Sequence, residues 1–480
     1  MGIFRTTNPL EFDDIDGIII NEQTPPASIQ GVGANTVALV GLFQRGSEDL
    51  QEVFSIADFH EKYGKSSFAG NLALKNKRFG RLKIVRVVAA SGGAKGAATF
   101  DDGDSTDIIT FTAKHKGVYG NSITVTIAAG TTTGRKYTIS DGNTDAVLPD
   151  EVYDDIEIDA ITASTFALSK LVDVTVLATS AEPANASATA LTSGSDGSVA
   201  DTDYQTAIAK LSVERACNLV ILDTYNSTRN GYLATHVGTT KDKMAVVCGA
   251  AGDSVSTAIS AVASNRSDRL IYGYPYVKTT IDGATVTQNP ASWIASIFSQ
   301  VSPHVDLAYA ANTPLMAGAT GLDVALTRAN YVALNEVGIC SLEYDADLGG
   351  FKVKNSVTTQ IVNSALRTVL RRRMADWLQD SIAYFLKNYQ NAPNTLKNRT
   401  EVKGAILGFV RNAERDGILP SDNEVSGGSA KLVDTDSLNT DDVLAAGFFK
   451  ILYKQRIYSS MRFIVLQAEI GESVVVTEAA

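Results

Sequence analysis

Residues 202–344 alternate between helix-like and strand-like patterns, and this alternation constrains the fold more than any other feature of the chain. Apolar runs such as Leu219-Val220-Ile221-Leu222 are typical of buried strands. The order predicts a mostly parallel sheet covered by helices. The predicted strands are 219–222, 244–247 and 270–273, and the predicted helices are 204–211, 255–263 and 291–301.

The flanking regions extend this pattern. Residues 1–90 predict a strand at 36–42, helices at 56–63 and 72–78, and a strand at 82–88. Near the other end, apolar residues at helical spacing predict one long amphipathic helix over 362–389 and a second over 397–414. A paired-strand pattern follows at 447–470. Both flanks therefore mix helices with strands.

Between glycine-rich boundaries, residues 93–198 read as an inserted, almost all-β region rich in Thr, Ser and Ala. Residues 95–197 hold fifteen Asp and Glu against six Lys and Arg, in a chain whose formal charge is -11. Since net negative charge keeps particles apart in solution, we expect this region to face outward.

Both ends of the chain carry short β-branched segments detached from their surroundings. Ile18, Ile19 and Ile20 lie before Pro25-Pro26, and Val474, Val475 and Val476 follow Gly471. Strands so short are not stable alone, so they need a partner sheet. They can add to sheets of neighbouring subunits, or pair within their own chain as most strands do.

Motifs for catalysis, cofactors and metals are largely lacking. The four histidines have no metal-ligand spacing, and no GxSxG elbow is present. Gly249-Ala250-Ala251-Gly252-Asp253-Ser254 has a strand–loop–helix context, but a tight turn capped by Asp253 or Ser254 is favoured over an anion site. Cys217, Cys248 and Cys340 are interpreted as reduced core residues of a protein made in the cytoplasm.

The order of motifs resembles that of contractile tail sheath proteins of bacteriophages and related contractile injection systems. The resemblance covers nearly the whole chain, and its motifs are specific by their order. In the N-terminal half, these motifs are Pro25-Pro26 before the strand 36–41 with Gly46 following, the helix–strand pair 71–79 and 82–88, and the segment 113–121 ending in Gly120-Asn121. In the C-terminal half, they are the Pro- and Gly-containing segment with Ala311, Pro314, Gly318 and Gly321, the two long helices, and the strand Phe463-Ile464-Val465.

The resemblance implies an α/β and α+β multidomain protein. Its parts would be a mostly parallel α/β core, a C-terminal α+β domain built from both chain ends, and an inserted β-rich domain. The implied divisions are an N-terminal arm (1–24), the N-terminal part of the core (25–92), the inserted outer domain (93–198), the α/β core (199–345), the assembly domain (346–471) and a C-terminal arm (472–480).

The resemblance implies that this protein is a structural, non-enzymatic subunit that uses no cofactor or metal. Such subunits polymerise around an inner tube and contract to drive it through a bacterial envelope. Implied partners are further sheath subunits, the tube protein, and baseplate and tail terminator proteins, without direct nucleic-acid contact or membrane insertion. The implied location is a virion tail, made and assembled in the host bacterial cytoplasm.

Residues 364–415 carry ten Lys and Arg against four Asp and Glu. If the acidic region faces outward, this basic stretch can meet an acidic tube through exposed ion pairs. The preferred contacts are Lys397, Arg399 and Lys403, followed by Arg371, Arg372 and Arg373. All six can equally be solvated helix charges. An α/β enzyme that uses the turn at Gly249 to Ser254 and a cell-surface adhesive protein are the alternative functions.

Overall fold

The computed structural model describes residues 2–6, 17–21, 31–143, 146–162, 164–309, 311–362, 366–420, 430–433 and 438–459. The chain forms two compact units, one of residues 33–377 and one that combines residues 1–32 with residues 378–480. The mixed α/β fold class predicted from the sequence is confirmed. The finer division into six parts stays a prediction.

The elements follow in chain order. The strands are β1 (Gly2–Thr6), β2 (Gly17–Asn21), β3 (Thr36–Gly41), β4 (Gln51–Val53), β5 (Arg81–Arg86), β6 (Gly93–Ala94), β7 (Ala97–Asp101), β8 (Asp107–Ala113), β9 (Ile123–Ala129), β10 (Arg135–Asp141), β11 (Glu151–Ile156), β12 (Val172–Val176), β13 (Ala186–Ala190), β14 (Ser195–Asp196), β15 (Leu219–Leu222), β16 (Met244–Cys248), β17 (Leu270–Tyr274), β18 (Val277–Ile281), β19 (Ala284–Gln288), β20 (Ala319–Leu322), β21 (Ile339–Asp345), β22 (Gly350–Val353), β23 (Ala430–Val433) and β24 (Leu452–Gln455). The helices are α1 (Ile56–Tyr63), α2 (Ala69–Leu74), α3 (Asp201–Ala209), α4 (Ser227–Thr240), α5 (Val255–Ala263), α6 (Pro290–Gln300), α7 (Arg328–Glu336), α8 (Val369–Leu386), α9 (Leu396–Arg415) and α10 (Asp441–Ala445).

An eight-stranded sheet forms the centre of the larger unit, in the order β22-β21-β17-β16-β15-β3-β5-β4. The six inner strands pair in parallel, and the strands at the two edges, β22 and β4, are antiparallel to their neighbours. Residues along β15 alternate between two cores: Leu219 and Ile221 face one, Val220 and Leu222 the other. Because both faces are covered, the strand is apolar throughout. The predicted parallel sheet is confirmed.

Helices from distant parts of the chain cover the two faces of this sheet. One core includes residues of α1, α2 and α6, and the other includes residues of α3, α4, α5 and α7. Local caps set the helix starts. Ser55 Oγ accepts a hydrogen bond from the Asp58 amide at α1, and Ser254 Oγ accepts one from the Thr257 amide at α5. Both helices have the bounds predicted from the sequence.

In the described part of residues 93–196, the regular elements are strands and two short 3-10 turns, joined by loops. Two antiparallel sheets, β11-β10-β9-β13 and β12-β8-β7, share a core that includes Phe111, Val125 and Tyr137. The region starts at β6 and ends at β14, which pair antiparallel. This pairing brings the entry and exit of the region together, as an insertion requires.

Buried polar contacts join the β-rich region to the central sheet's loops. Arg45, which is 3% exposed, forms an ion pair of 3.0 Å with Asp141 and a hydrogen bond with the Tyr119 hydroxyl. Arg86 donates 2.7 Å to the carbonyl oxygen of Lys116. A buried charge that loses its partner is costly. The β-rich region is therefore fixed to its neighbours by specific bonds.

The smaller unit contains α9, α10, two isolated strand pairs and the end of α8. Strands β1 and β2 pair in parallel, and β23 and β24 pair antiparallel. The predicted second helix, 397–414, is confirmed by α9. Of the paired-strand pattern predicted at 447–470, the described part contains β24, and residues 460–470 lie outside the described residues. No helix in the described part of the chain is both apolar enough and long enough to span a bilayer.

Two helix predictions were wrong in position. The predicted helix 362–389 starts at Val369, because Val357 forms a β-bridge with Thr368 and the Thr358 amide donates 2.8 Å to the Arg367 carbonyl oxygen. The predicted helix 72–78 is α2, which ends at Leu74. Asn76 has a left-handed φ of 65°, which a helix cannot include.

Candidate functional site

The turn at residues 249–254 is occupied by the chain's own carboxylates. Asp253 accepts a hydrogen bond of 2.7 Å from the Ala250 amide, and Asp323 accepts one of 2.8 Å from the Gly252 amide. A Cβ added to Gly249 would lie 2.4 Å from the Asp253 carboxylate. Because two of the amides that could cradle an anion already bind carboxylates, the geometry disfavours a phosphate here. The predicted capping role of Ser254 is confirmed.

In the described part of the chain, no three His, Cys, Asp or Glu side chains lie where they could share a metal ion. Cys217, Cys248 and Cys340 are buried and free, as predicted. Burial raises the pKa of the Cys217 thiol to about 11, so it stays protonated and unreactive. Burial, with Arg86 nearby, lowers the pKa of His115 to about 4, which keeps this imidazole neutral.

The basic stretch that the sequence singles out divides into two parts with different environments. At the start of α8, Arg371 is half-buried. Arg372 is 5% exposed and pairs with Asp268 at 3.1 Å and with Asp376. Asp376 also accepts hydrogen bonds of 2.9 and 3.0 Å from Arg269. These bonds tie α8 to the segment before β17.

Arg373 is also buried, and it caps the C-terminus of α6. It is 3% exposed, and its guanidinium lies 3.8 Å from the centre of the Phe298 ring. It donates to the carbonyl oxygens of Phe298 at 3.1 Å and Val301 at 2.9 Å, at the C-terminus of α6. Helix C-termini leave carbonyl groups unpaired and favour cations. Burial lowers the pKa of Arg373, and its position is structural.

The cations of α9 are more exposed to solvent than Arg372 and Arg373 of α8. The buried stripe of this helix consists of Val402, Ala405, Ile406, Phe409, Val410 and Ala413. Lys397 is exposed on the far side of the helix. Arg399 and Lys403 are half-buried beside the stripe, and the Lys403 ammonium lies 5.9 Å from the Phe449 ring centre. The three predicted contacts are therefore not on one face.

Two further arginines share the exposed face with Lys397. Arg411 and Arg415 are exposed and lie fourteen and eighteen positions further on, which is four and five helical turns. Between them are Gly404 and Gly408, where an added Cβ would meet no described atom within 4 Å outside the backbone of α9 itself. Sequence reasoning missed these arginines because it grouped cations by proximity along the chain. The helical period would have found them.

The predicted strand-exchange residues are only partly described. Ile18, Ile19 and Ile20 lie in β2, which pairs with β1 of the same chain through Phe4 opposite Ile19. Among the described strands, β1 and β2 pair only with each other. Val474, Val475 and Val476 lie outside the described residues. Exchange between subunits stays a prediction.

Solved structures with a similar fold are sheath proteins. A sheath tail protein from Listeria innocua has a TM-score of 0.66 and 17% identity, covering 85% of this chain and 90% of that chain. One from Desulfitobacterium hafniense has a TM-score of 0.62 and 17% identity, with coverages of 87% and 93%. The helical sheath of the anti-feeding prophage in its contracted state has a TM-score of 0.60 and 14% identity, with coverages of 95% and 99%.

Two other comparisons are negative: no family model and no curated protein matches the sequence. The likeness therefore rests on backbone geometry over almost the full length of both chains, where sequence identity is low. The resemblance inferred from the order of motifs agrees with it. The chain has the fold of contractile tail sheath proteins.

Proposed function

We propose that this protein is a structural subunit of a contractile sheath, which polymerises around an inner tube and shortens to drive that tube through a bacterial envelope. The observation that carries the proposal is the fold match to a contracted helical sheath, which covers 95% of this chain and 99% of the other.

Contraction needs no nucleotide in this proposal. The free energy is stored in subunit interfaces that rearrange, and strand exchange keeps the subunits connected while their bodies rotate. Ile18, Ile19 and Ile20 of β2 and Val474, Val475 and Val476 are the exchanging segments. A two-stranded sheet such as β1–β2 is marginal alone, so an added strand from a neighbour would stabilise it.

The exposed face of α9 is the proposed contact with the tube. Lys397, Arg411 and Arg415 would form exposed ion pairs with acidic groups, with Arg399 and Lys403 at the margin of the surface. Each such pair is weak and screened by salt, but a ring of subunits repeats it. Arg372 and Arg373 are left out of this surface because both are buried.

The remaining partners and location follow from the same proposal. The acidic region 93–198 is the outer domain. The assembly domain, predicted from the sequence as residues 346–471 with both arms, is proposed as the smaller unit of residues 1–32 and 378–480, because β22 belongs to the central sheet. The ends of the sheath meet baseplate and terminator proteins in a tail assembled in the bacterial cytoplasm. A neighbour in fold occurs in the anti-feeding prophage baseplate, with a TM-score of 0.57. An enzymatic role is not proposed, because the turn at 249–254 binds its own carboxylates.

Electron microscopy of the purified full chain tests the proposal. We expect tubes or stacked rings, whereas an enzyme would remain a small oligomer and an adhesive protein would attach to a ligand. Deleting residues 472–480 is expected to leave a folded, soluble chain that no longer polymerises. A full chain that stays monomeric under all polymerising conditions would contradict the sheath function. Tubes of unchanged stability from the deletion variant would contradict strand exchange alone.

A further inference from the structure

A cavity of about 990 Å³ opens in the larger unit, between α1, α2, α6 and the segment 314–320 before β20. Its walls include the buried apolar side chains of Phe59, Trp293, Ile297 and Met316. This size is at the upper end for small-ligand sites and is sufficient for several residues of a peptide. The sheath function proposed above does not account for it.

The cavity has a basic lining in an acidic chain. Lys65, Lys75 and Arg78 line it, and none of the described lining residues is Asp or Glu. His60 and Lys77 also line it, but burial lowers the pKa of both, so they add little positive charge. The whole chain has 53 Asp and Glu against 42 Lys and Arg. Lys75 pairs with Asp282, which is highly exposed at the rim. A water-filled cavity of one charge sign attracts groups of the opposite sign.

Some polar groups of the lining residues are incompletely paired within the described chain. The Lys77 ammonium lies 4.3 Å from the centre of the Trp293 ring and donates to the side-chain oxygen of Gln288. Desolvation lowers its pKa well below the usual value, because its bonds within the described chain include no carboxylate. The buried Trp293 Nε1 and Asn71 Oδ1 have no hydrogen-bond partner among the described residues. Buried groups of this kind normally have one.

Trp293 Nε1 and Asn71 Oδ1 are closed to solvent, so an occupant of the cavity does not reach them. Lys77 already donates to the Lys75 carbonyl oxygen and to Gln288. The choice of occupant therefore rests on the exposed cations and the apolar side chains of the lining. Ile56 and Leu315, also in the lining, are 69% and 38% exposed. An occupant with both carboxylates and apolar side chains fits all of these features.

We propose that the cavity binds residues 9–16 of a neighbouring copy of this chain. This segment reads Pro-Leu-Glu-Phe-Asp-Asp-Ile-Asp and combines four carboxylates with Leu10, Phe12 and Ile15. It immediately precedes β2, so docking would hold the proposed exchange strand close to its partner subunit. The inference rests on the sheath proposal because it requires adjacent copies.

Two other acidic clusters in the described chain are engaged locally. The Asp102 carboxylate accepts from the amides of Asp104 and Thr106, and the Asp154 carboxylate binds Thr131. Residues 9–16 also place large apolar side chains between their carboxylates, which the cluster at 101–107 does not. Charge complementarity and the apolar mouth together favour the N-terminal segment as occupant.

A fluorescent peptide of residues 8–17 provides the first test. It is titrated into full chain carrying Glu11→Gln, Asp13→Asn, Asp14→Asn and Asp16→Asn, so that the chain's own segment does not compete. We expect binding that weakens at least about tenfold when the exposed Lys65 and Arg78 are changed to Glu. The exposed Arg215→Glu is the matched control and should change nothing. An unchanged peptide affinity in the variant with Lys65→Glu and Arg78→Glu would overturn the inference.

Two further measurements distinguish a peptide site from a simple anion site. A peptide with Phe12→Ser and Ile15→Ser should bind about tenfold more weakly, because apolar contacts contribute. Inorganic phosphate at the same concentration should not displace the native peptide. Equal displacement by phosphate would show that the cavity binds simple anions and would overturn the peptide assignment.

Zero-length carboxyl–amine cross-linking of mixed ¹⁵N-labelled and unlabelled full chain then identifies the source. Links from Lys65 or Lys75 to residues 11–16 should join a labelled to an unlabelled chain in assembled tubes. Tubes without such mixed links would refute this inference while leaving the sheath function intact. A chain that binds the peptide but never forms tubes would refute the sheath function instead.

Discussion

The basic residues of α8 and α9 have the same charge but opposite environments. Arg372 and Arg373 are buried against aspartates, an aromatic ring and helix carbonyl groups, whereas Lys397, Arg411 and Arg415 are exposed along one helix face. A buried cation contributes to stability through the partners it satisfies, and an exposed one contributes little. A run of positive charge therefore does not by itself indicate a binding surface.

The largest effect is expected at Arg373. Replacing it with Ala removes two hydrogen bonds to the end of α6 and leaves a cavity beside Phe298, which should lower the free energy of unfolding by about 3 kcal/mol. Arg373→Met keeps most of the packing and should cost less than Arg373→Ala. Urea denaturation of the full chain measures both, with Lys397→Ala as the exposed control. Equal losses in the free energy of unfolding for Arg373→Ala and Lys397→Ala would contradict the distinction between buried and exposed cations.

A somewhat smaller loss is expected at Asp376, which accepts hydrogen bonds from both Arg269 and Arg372. Asp376→Asn keeps the shape but removes the charge between two buried guanidinium groups, so we expect a loss of about 2 kcal/mol. Because the pairs are shielded from solvent, the loss should change little with salt. Asp416→Asn, which affects the exposed Arg415, is the control in the same denaturation series. A loss that vanishes in high salt would place these pairs at the surface.

The exposed face of α9 is expected to tolerate added side chains. Gly404→Ala and Gly408→Ala should each raise stability by about 1 kcal/mol, because glycine is unfavourable within a helix and no described atom outside the backbone of α9 itself lies within 4 Å of the added Cβ. Gly70→Ala is the opposite control, since its Cβ would lie 2.5 Å from the Phe43 ring. Thermal unfolding distinguishes the two outcomes. Destabilisation by the α9 substitutions would mean that this face is covered within the chain.

The smallest effect on stability is expected for the cations of α9. Lys397→Glu with Arg411→Glu and Arg415→Glu should change the free energy of unfolding by less than about 0.5 kcal/mol. The same variant should assemble poorly on the inner tube, with the largest difference from the native chain at low salt because salt screens exposed charges, while tubes of sheath alone still form. Arg399→Glu with Lys403→Glu should weaken tube assembly less, because both side chains are half-buried. Co-sedimentation with purified tube measures this, and unchanged binding by both variants would rule this surface out.

Sequence patterns predicted the elements that local chemistry controls. The bounds of α1 and α5 follow from a serine cap and an amphipathic period, and β15 follows from four consecutive apolar residues. Helix α4 was missed because its Thr- and Gly-containing sequence resembles a loop. Its start is fixed by Asn226, whose side-chain oxygen accepts from the amides of Thr228 and Arg229.

The sequence by itself determined the parallel α/β core and the β-rich character of residues 93–198, because these depend on periodicity and on the order of elements. The order of its motifs also resembles that of sheath proteins, and the fold of the chain agrees with this resemblance. The tertiary structure alone decided which cations are buried and which are exposed. It also formed the basic cavity from residues as distant as Lys65, Trp293 and Met316. Such environments depend on non-local packing, and no pattern of neighbouring residues along the chain specifies them.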